Sequence, residues 1–390
     1  ISTKQRLGRT KNCNETLADW FFLGNYRYIY FIYLMKHLDL PLLVIIIILT
    51  LFGLLMIYDA SSVIAFSTFG DKFHYIKDQM IWMTLGFAAL FIFSNFDYRR
   101  LFNLALPSLL IALVLLLLVF MPGIGSGAKG ANRWINVGSF RLQPAEFVKL
   151  ALAIYLGAWF SHKEKGRFLA FALLLFALMV LIMLQPDLGT ASIVLAEAVI
   201  IYFLSGGNVF YFIVGSPIIA FVGYLLIKLE PYRASRLTSF LSLNGSLTNT
   251  SYHVKQILIA LGAGGIWGLG IGNSIQKYAY LPENVTDSIF PIIAEEFGFL
   301  GATVLIILFA LLVYRGFFIA SNARDKFGKL LACGIIAFVG IQIIINLGAM
   351  TALFPLTGVP LPFISFGGSA LIVDLAAMGI LLNISRQANN

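Results

Sequence analysis

Charge is scarce in this sequence. Only 12% of its 390 residues are Asp, Glu, Lys or Arg, about half the share found in an ordinary soluble domain. Hydrophobic residues make up 59%, and the mean hydropathy is +0.90. Apolar runs of roughly 18 residues or more recur from end to end, each long enough to cross a hydrocarbon core. A soluble globular fold is thereby excluded, and no separate soluble domain of ordinary size is left over. Cysteine is scarcer still. Cys13 and Cys333 lie far apart, the latter inside an apolar run, so neither a disulfide framework nor a thiolate metal site follows. The net charge of +9 would suggest nucleic acid in a soluble protein. Here Lys and Arg collect in loops beside the apolar runs, where they set orientation and meet anionic headgroups, so no nucleic-acid partner is expected.

The apolar runs predict helices at about 40–60, 76–95, 103–121, 144–160, 167–185, 188–206, 209–228, 288–315, 328–350 and 364–385. The expected fold is an all-α integral membrane protein of about ten transmembrane helices, forming one polytopic domain over 35–390. A large extracytoplasmic loop, 229–287, separates the seventh and eighth helices and shows little regular apolar periodicity. Residues 1–34 are expected to be an upstream extension lying at the interface. They precede a conventional start at Met35-Lys36-His37, and no small-residue cleavage site marks a signal peptide.

Arg99, Arg100, Lys163, Lys165, Arg167, Arg315, Arg324, Lys326, Lys329 and Arg386 all fall on one face if ten spans are counted. The positive-inside rule makes that face cytoplasmic and puts both termini inside. Basic residues nevertheless gather on the outer side: Lys129, Arg133, Arg141, Lys228, Arg233, Arg236, Lys255 and Lys277. An anionic ligand at the outer leaflet would hold them there; a solvated loop surface is the alternative.

Several outer segments carry polar chemistry. In RLQPAEFVKL (141–150), Pro144 suits the first turn of a helix, and Glu146 and Lys149 share a face three residues apart. Such a pair lines a cavity or is a structural ion pair. In the turn Gln185-Pro186-Asp187-Leu188-Gly189-Thr190, Asp187 caps the next helix or anchors an outer basic residue. Glu197 and Asp374 lie deep in predicted spans with no obvious partner. The glycine-rich stretch GAGGIWGLGIGN (262–273) lacks the spacing of a phosphate-binding motif and suggests close backbone packing or a re-entrant segment. In LPENVTDSIFPIIAEEFGFL (281–300), Glu283 and Asp287 stand at the outer entrance of the eighth span, with Glu295 and Glu296 about two turns further in. Asp287 could act as a general base or simply stabilise a helix start. The proline-rich FPLTGVPLPFISFGGSAL (354–371) must be buried in protein or line a wet cavity.

Six of these segments together resemble the SEDS family of bacterial shape, elongation, division and sporulation proteins, the FtsW/RodA type. They are GANRWI (130–135), LQPAEFVKL (142–150), QPDLGTA (185–191), YRASRLTSFL (232–241), LPENVTDSIFPIIAEEFGFLG (281–301) and PLTGVPLPFISFGGSAL (355–371). They occur in family order and span essentially everything after residue 40. The GSGAKGANRW loop and the LLNISRQ end are closer to the division branch, FtsW, than to RodA. Two departures stand out. Val285 replaces the family's usual His before Thr-Asp, and SFGGSA replaces SYGGSS.

The resemblance implies a peptidoglycan glycosyltransferase that polymerises lipid II at the outer face of the bacterial cytoplasmic membrane, at the division septum. It implies Asp287 as the essential acid, matching the family's LPExxTD segment. The expected substrate-binding set is Arg133, Glu146, Lys149, Asp187, Arg233, Arg236, Lys277 and Glu283, with Arg133, Lys149, Arg233 and Arg236 facing the departing pyrophosphate. No metal-ligand motif is present, though a divalent cation such as magnesium or manganese could share that charge. The implied partners are lipid II, a class B penicillin-binding protein transpeptidase and other membrane proteins of the division or elongation machinery. Two rival functions stand beside this one: a lipid II flippase, suggested by buried carboxylates in a many-span chain, and a non-catalytic scaffold for the transpeptidase.

Overall fold

The computed structural model describes residues 38–388 apart from 124, 129–130, 139, 163–166, 212, 216, 218–239, 241–251 and 279. Ten α-helices occur among the described residues: α1 (Leu40–Phe69), α2 (His74–Asn95), α3 (Ala105–Leu118), α4 (Pro144–Ser161), α5 (Phe168–Met183), α6 (Leu188–Leu204), α7 (Tyr252–Gly264), α8 (Ile289–Ser321), α9 (Lys326–Met350) and α10 (Gly368–Ala388). All but α7 coincide with a predicted span. Most of the seventh predicted span, 209–228, lies outside the described residues, as do the extension 1–34 and the sequence around Arg233 and Arg236.

Local chemistry accounts for the helix ends. Asp39 accepts a hydrogen bond from Leu42 N (3.0 Å) and caps α1, whose other end stops at Gly70 in the left-handed region. Asp187 caps α6 and Asp325 caps α9. Pro144 opens α4. Five helices, α1, α2, α8, α9 and α10, are long and apolar enough to cross a membrane, and α3, α5 and α6 are shorter apolar helices.

Two regions depart from the expected pattern. Loop 122–143 carries a three-stranded antiparallel sheet: β1 (Gly125–Ala128), β2 (Ala131–Val137) and β3 (Phe140–Leu142). Strands this short, placed between two helices, leave little alternation to detect. The long loop 229–287, read as lacking periodicity, holds α7. Its buried stripe is Val254, Ile257, Ala260 and Gly264, and half of that stripe is Ala and Gly, which add little hydropathy.

The core has two parts. α3, α4, α5 and α6 pack around Leu116, Val148, Leu178 and Val194. α1, α2, α8, α9 and α10 form the larger cluster, including Ile46, Ile293, Phe338 and Leu381. α9 and α10 are largely enclosed, whereas α2 and α8 turn apolar residues such as Phe91 and Val304 outward, as helices do with lipid on one side.

Polar bonds tie the helix ends together on one face. Arg315 near the end of α8 pairs with Asp39 at the start of α1 (2.5 Å). Tyr98, in a 3-10 turn after α2, donates its hydroxyl to Asp325 at the start of α9. Asn383 near the end of α10 accepts from Tyr98 N (3.0 Å) and donates to Ser94 O (2.9 Å). This is the face to which Arg99, Arg100 and Arg386 belong, and the loops with the candidate functional residues lie at the other.

Candidate active site

Asp287 immediately precedes the α8 N-cap residue, Ser288, in a loop gripped from three sides. Asn284 Nδ2 donates to Ala60 O of α1 (3.1 Å). Val285 O accepts from Phe366 N in the proline-rich loop (3.0 Å). The carbonyl of Asp287 itself accepts from Asn346 Nδ2 of α9 (2.9 Å), and the same amide donates to Val359 O (2.8 Å). A fourth contact comes from α7, where His253 Nε2 lies 2.8 Å from Ser288 Oγ. Asp287 is 7% exposed, so its backbone is fixed while one edge of the residue stays accessible. Thr286 Oγ1 lies 3.2 Å from Asp287 Oδ1 and 3.3 Å from Glu283 Oε2, and its single proton serves one of the two acids at a time. Glu283 is exposed and has φ +51°, a left-handed conformation costing on the order of 1–2 kcal/mol for a residue with a side chain. Bonds from Thr286 N and Ser288 N to the Glu283 carbonyl hold it there.

A second group gathers where α4 and α6 begin. Asp187 accepts from Thr190 N (3.1 Å), Thr190 Oγ1 (2.8 Å) and Gln143 Nε2 (3.1 Å). It therefore acts as a helix cap. Arg133 braces the same turn by a different route: it donates to the carbonyls of Gln185 (2.9 Å) and Pro186, not to the Asp187 carboxylate. On α4, Lys149 Nζ lies 2.7 Å from Glu146 Oε2 and donates to Gln342 Oε1 of α9. Both charged residues are almost completely enclosed, at 0% and 2% exposure. Asp374 and Glu197, unassigned from sequence, lie within electrostatic reach of Lys149, and their carboxylates accept no hydrogen bond among the described residues.

The two groups meet through α9. Gln342 Nε2 donates to Pro360 O (3.0 Å) and Asn346 Nδ2 to Val359 O. Residues four apart share a helix face, so one face of α9 grips consecutive carbonyls of the proline-rich loop. It reaches Lys149 with one amide and the Asp287 backbone with the other. Gly53 completes the seating. A Cβ there would lie 2.5 Å from Phe363 O, so α1 approaches this loop more closely than any larger residue permits.

Lys277 belongs to neither group. Its ammonium meets Asp59 Oδ1 (2.9 Å), Gly272 O (2.6 Å) and Glu296 Oε1 (3.4 Å). Burial opposes its charge, but the carboxylates of Asp59 and Glu296 more than offset this and hold its pKa above the ordinary lysine value. Arg233 and Arg236 fall outside the described residues. Among the described residues, no three His, Cys, Asp or Glu side chains are grouped to hold a metal ion.

Residues 40–390 match the family model described as cell cycle protein, covering FtsW, RodA and SpoVE. The chain belongs to that family. Among its FtsW/RodA/SpoVE relatives is stage V sporulation protein E of Bacillus subtilis, 39% identical, with 89% of this chain and 97% of that protein covered. Another is a probable peptidoglycan glycosyltransferase FtsW of Geobacter metallireducens, 42% identical, with coverage of 90% and 95%. Two solved structures share the fold at 27% identity. One, a chain from a peptidoglycan synthase complex that coordinates polymerization and crosslinking, has a TM-score of 0.74, with 90% of this chain and 98% of that one covered. The other, RodA of Thermus thermophilus, has a TM-score of 0.67, with coverage of 90% and 97%. An FtsW/RodA-type chain with these apolar helices is an integral membrane protein.

Four residues of this family member escaped the sequence reading: Asn346, Gln342, His253 and Asp59. The first two left a signal, two amides four apart in an otherwise apolar span. Asp59, an acid in the first predicted span, left the same kind of signal; His253 left none, since it gains its meaning from Ser288, 35 positions away.

Proposed function

We propose that this FtsW/RodA-type protein is a peptidoglycan glycosyltransferase that polymerises lipid II outside the cytoplasmic membrane, with Asp287 as general base. The observation that carries this is Asp287 itself, a scarcely exposed acid on a loop braced by α1, α9 and the proline-rich segment. Asp39, the N-cap residue, and Asp59 are twenty residues apart along α1. That interval is about 30 Å at 1.5 Å per residue, one hydrocarbon thickness. The Arg315–Asp39 pair and the Lys277 cluster are thus one hydrocarbon thickness apart along α1, which supports reading them as its two boundaries. Asp287 precedes the short helical segment that carries Glu296, so it belongs with the Lys277 cluster at the outer boundary, at headgroup height. The bond that breaks in lipid II, between its first sugar and the membrane-anchored pyrophosphate, lies at that height. The basic residues at the Arg315 end make that face cytoplasmic and the Asp287 face extracytoplasmic.

In the reaction, a sugar hydroxyl of one lipid II attacks the anomeric carbon of another. Asp287 takes the hydroxyl proton as the new bond forms, and the pyrophosphate departs with the bonding electrons. Pyrophosphate leaves readily, so no second carboxylate is needed as acid. Charge on the leaving group needs cations. Among the expected set, Arg133 is committed to the 185–186 turn and Lys149 is enclosed with Glu146. The role falls to Arg233 and Arg236, and a magnesium or manganese ion, if bound there, would add positive charge. A class B transpeptidase is the proposed partner, supported by the likeness to a chain from a synthase complex. The septum is the proposed site of action, supported by the FtsW relatives.

The test is polymerisation of fluorescent lipid II by purified protein with its transpeptidase. Wild type should make glycan chains, and Asp287→Asn should lose about 10²–10⁴ in rate while remaining folded. Equal activity in the variant would remove Asp287 from the chemistry. Failure of both folded, partnered proteins, with lipid II flipped across vesicles instead, would favour a transporter.

A further inference from the structure

α8 is not one continuous rod. Gly298 has φ +68° and ψ −168°, a non-helical conformation that splits Ile289–Phe297 from the long apolar segment below. The stub that follows Asp287 therefore cannot inherit its position from the span. Something else must fix it.

The chain between α7 and the Asp287 loop is built to do so. Backbone bonds stitch it to both sides of the break: Leu269 N to Glu295 O (3.0 Å) and Gly270 N to Glu296 O (3.0 Å) above, and Phe299 N to Gly265 O (2.9 Å) and Leu300 N to Ile266 O (3.3 Å) below. The fit admits no side chain, because a Cβ at Gly268 would lie 2.1 Å from Glu296 O and one at Gly298 2.3 Å from Gly268 N. Of the two courses anticipated for the glycine-rich stretch, close backbone packing is the one these contacts show. Its far end then bonds the two acids of the stub. Ile275 N, Gln276 N and Ser274 Oγ donate to the Glu295 carboxylate, and Ser274 N donates to Glu296 Oε1 (3.1 Å). Lys277 extends the grip to α1 through Asp59. An ammonium has three N–H donors, and Asp59, Gly272 O and Glu296 use all of them. None is left for a phosphate.

We propose that Lys277, with Asp59, Glu295 and Glu296, is a positioning clasp that sets the height and tilt of the Asp287 stub, and that Lys277 is not a ligand of the pyrophosphate. The inference rests on the polymerase function proposed above. A displacement of about 1 Å at a reacting group can cost on the order of 10²-fold in rate, so a clasp on the base-bearing stub acts on turnover rather than on substrate capture.

Two measurements test it. In steady-state polymerisation, Lys277→Met should lower kcat by roughly 10- to 100-fold and leave KM for lipid II within about twofold. Lys277→Arg should restore part of kcat, because an arginine can still bridge Asp59 and Glu296. A rise in KM with kcat preserved would overturn the clasp and return Lys277 to the substrate. The second measurement needs no activity. Nitroxides on Ser67→Cys at the end of α1 and Glu283→Cys beside Asp287, with Cys13 and Cys333 replaced by serine, report the distance between α1 and the stub. Lys277→Met should broaden or shift that distribution, and Asp59→Asn should do so to a smaller degree. An unchanged distribution in the folded Lys277→Met protein would refute the clasp whether or not the chain polymerises lipid II. Absence of polymerisation by wild type, with a distribution that still responds to Lys277, would refute the enzyme function and leave the clasp standing.

Discussion

The two faces of this membrane bundle are held together by the same kinds of groups in opposite circumstances. On the face of Arg315 the fasteners are mixed: Asn383 and Tyr98 are buried, but a cation and an amide join helix ends from the rim. The Arg315 side chain is 26% exposed where it meets Asp39, and Gln387 reaches Asp97 from a partly open position. On the face of Asp287 the charges have been drawn inside, with Lys149, Glu295 and Glu296 at 0–1% exposure and Lys277 at 4%. A rim ion pair stays hydrated and contributes little, typically under about 1 kcal/mol. A buried one has lost its water and persists only where every partner is in place. The open fasteners of the first face, Arg315 and Gln387, can be exchanged cheaply. On the second, the charges are bound to geometry, and geometry is what a general base requires.

The largest expected effect that would sharpen this contrast is at Lys149. Lys149→Met leaves Glu146 enclosed without its cation, and breaking a buried pair this way costs about 3–5 kcal/mol. Thermal unfolding in detergent should show a large fall, and a fall of only a degree or two would mean that the pair is better hydrated than its burial implies. Next comes Gly298→Ala, which forces an alanine into φ +68° and against Gly268 N. A loss of about 1–3 kcal/mol is expected, together with reduced polymerisation because the stub moves. Asp187→Ala removes a helix cap and should cost about 1 kcal/mol, seen as a modest shift in melting with KM for lipid II unchanged. A rise in KM would make Asp187 part of the substrate site after all. The smallest effect belongs to the first face. Arg315→Gln leaves Asp39 still capping α1 and should change stability by less than about 1 kcal/mol with polymerisation intact. A loss there comparable to that of Lys149→Met would erase the difference between the faces.

The sequence reading found Asp287, Glu283 and the Glu146–Lys149 pair because each stands in an outer segment at a helix entrance, where charge is out of place among apolar neighbours. For Asp187 it left capping and anchoring open, and the bonds to Thr190 and Gln143 decide for capping. It also grouped Arg133 and Lys277 with substrate by sign and side alone. Both ammonium and guanidinium are turned toward protein carbonyls and carboxylates, a commitment that depends on where a distant loop returns. The resemblance to the division branch is matched by FtsW relatives, but a sporulation protein lies at nearly the same identity. Overall identity therefore does not separate the branches of the family.

Sequence by itself determined that the chain is a bundle of apolar helices in a membrane, where most of those helices begin and end, and which face carries the basic loops. Hydropathy, caps and glycine stops act over a few residues and need no partner, so they can be read one segment at a time. Only the tertiary structure decided that α8 breaks at Gly298, that the glycine-rich chain spans the break, and that Asp59 closes on Lys277 across 218 positions. Nor could sequence reveal that one face of α9 ties the Lys149 pair to the backbone of Asp287. These are matters of which buried polar groups find one another, and in a low-dielectric interior that is settled by packing among helices far apart in the chain.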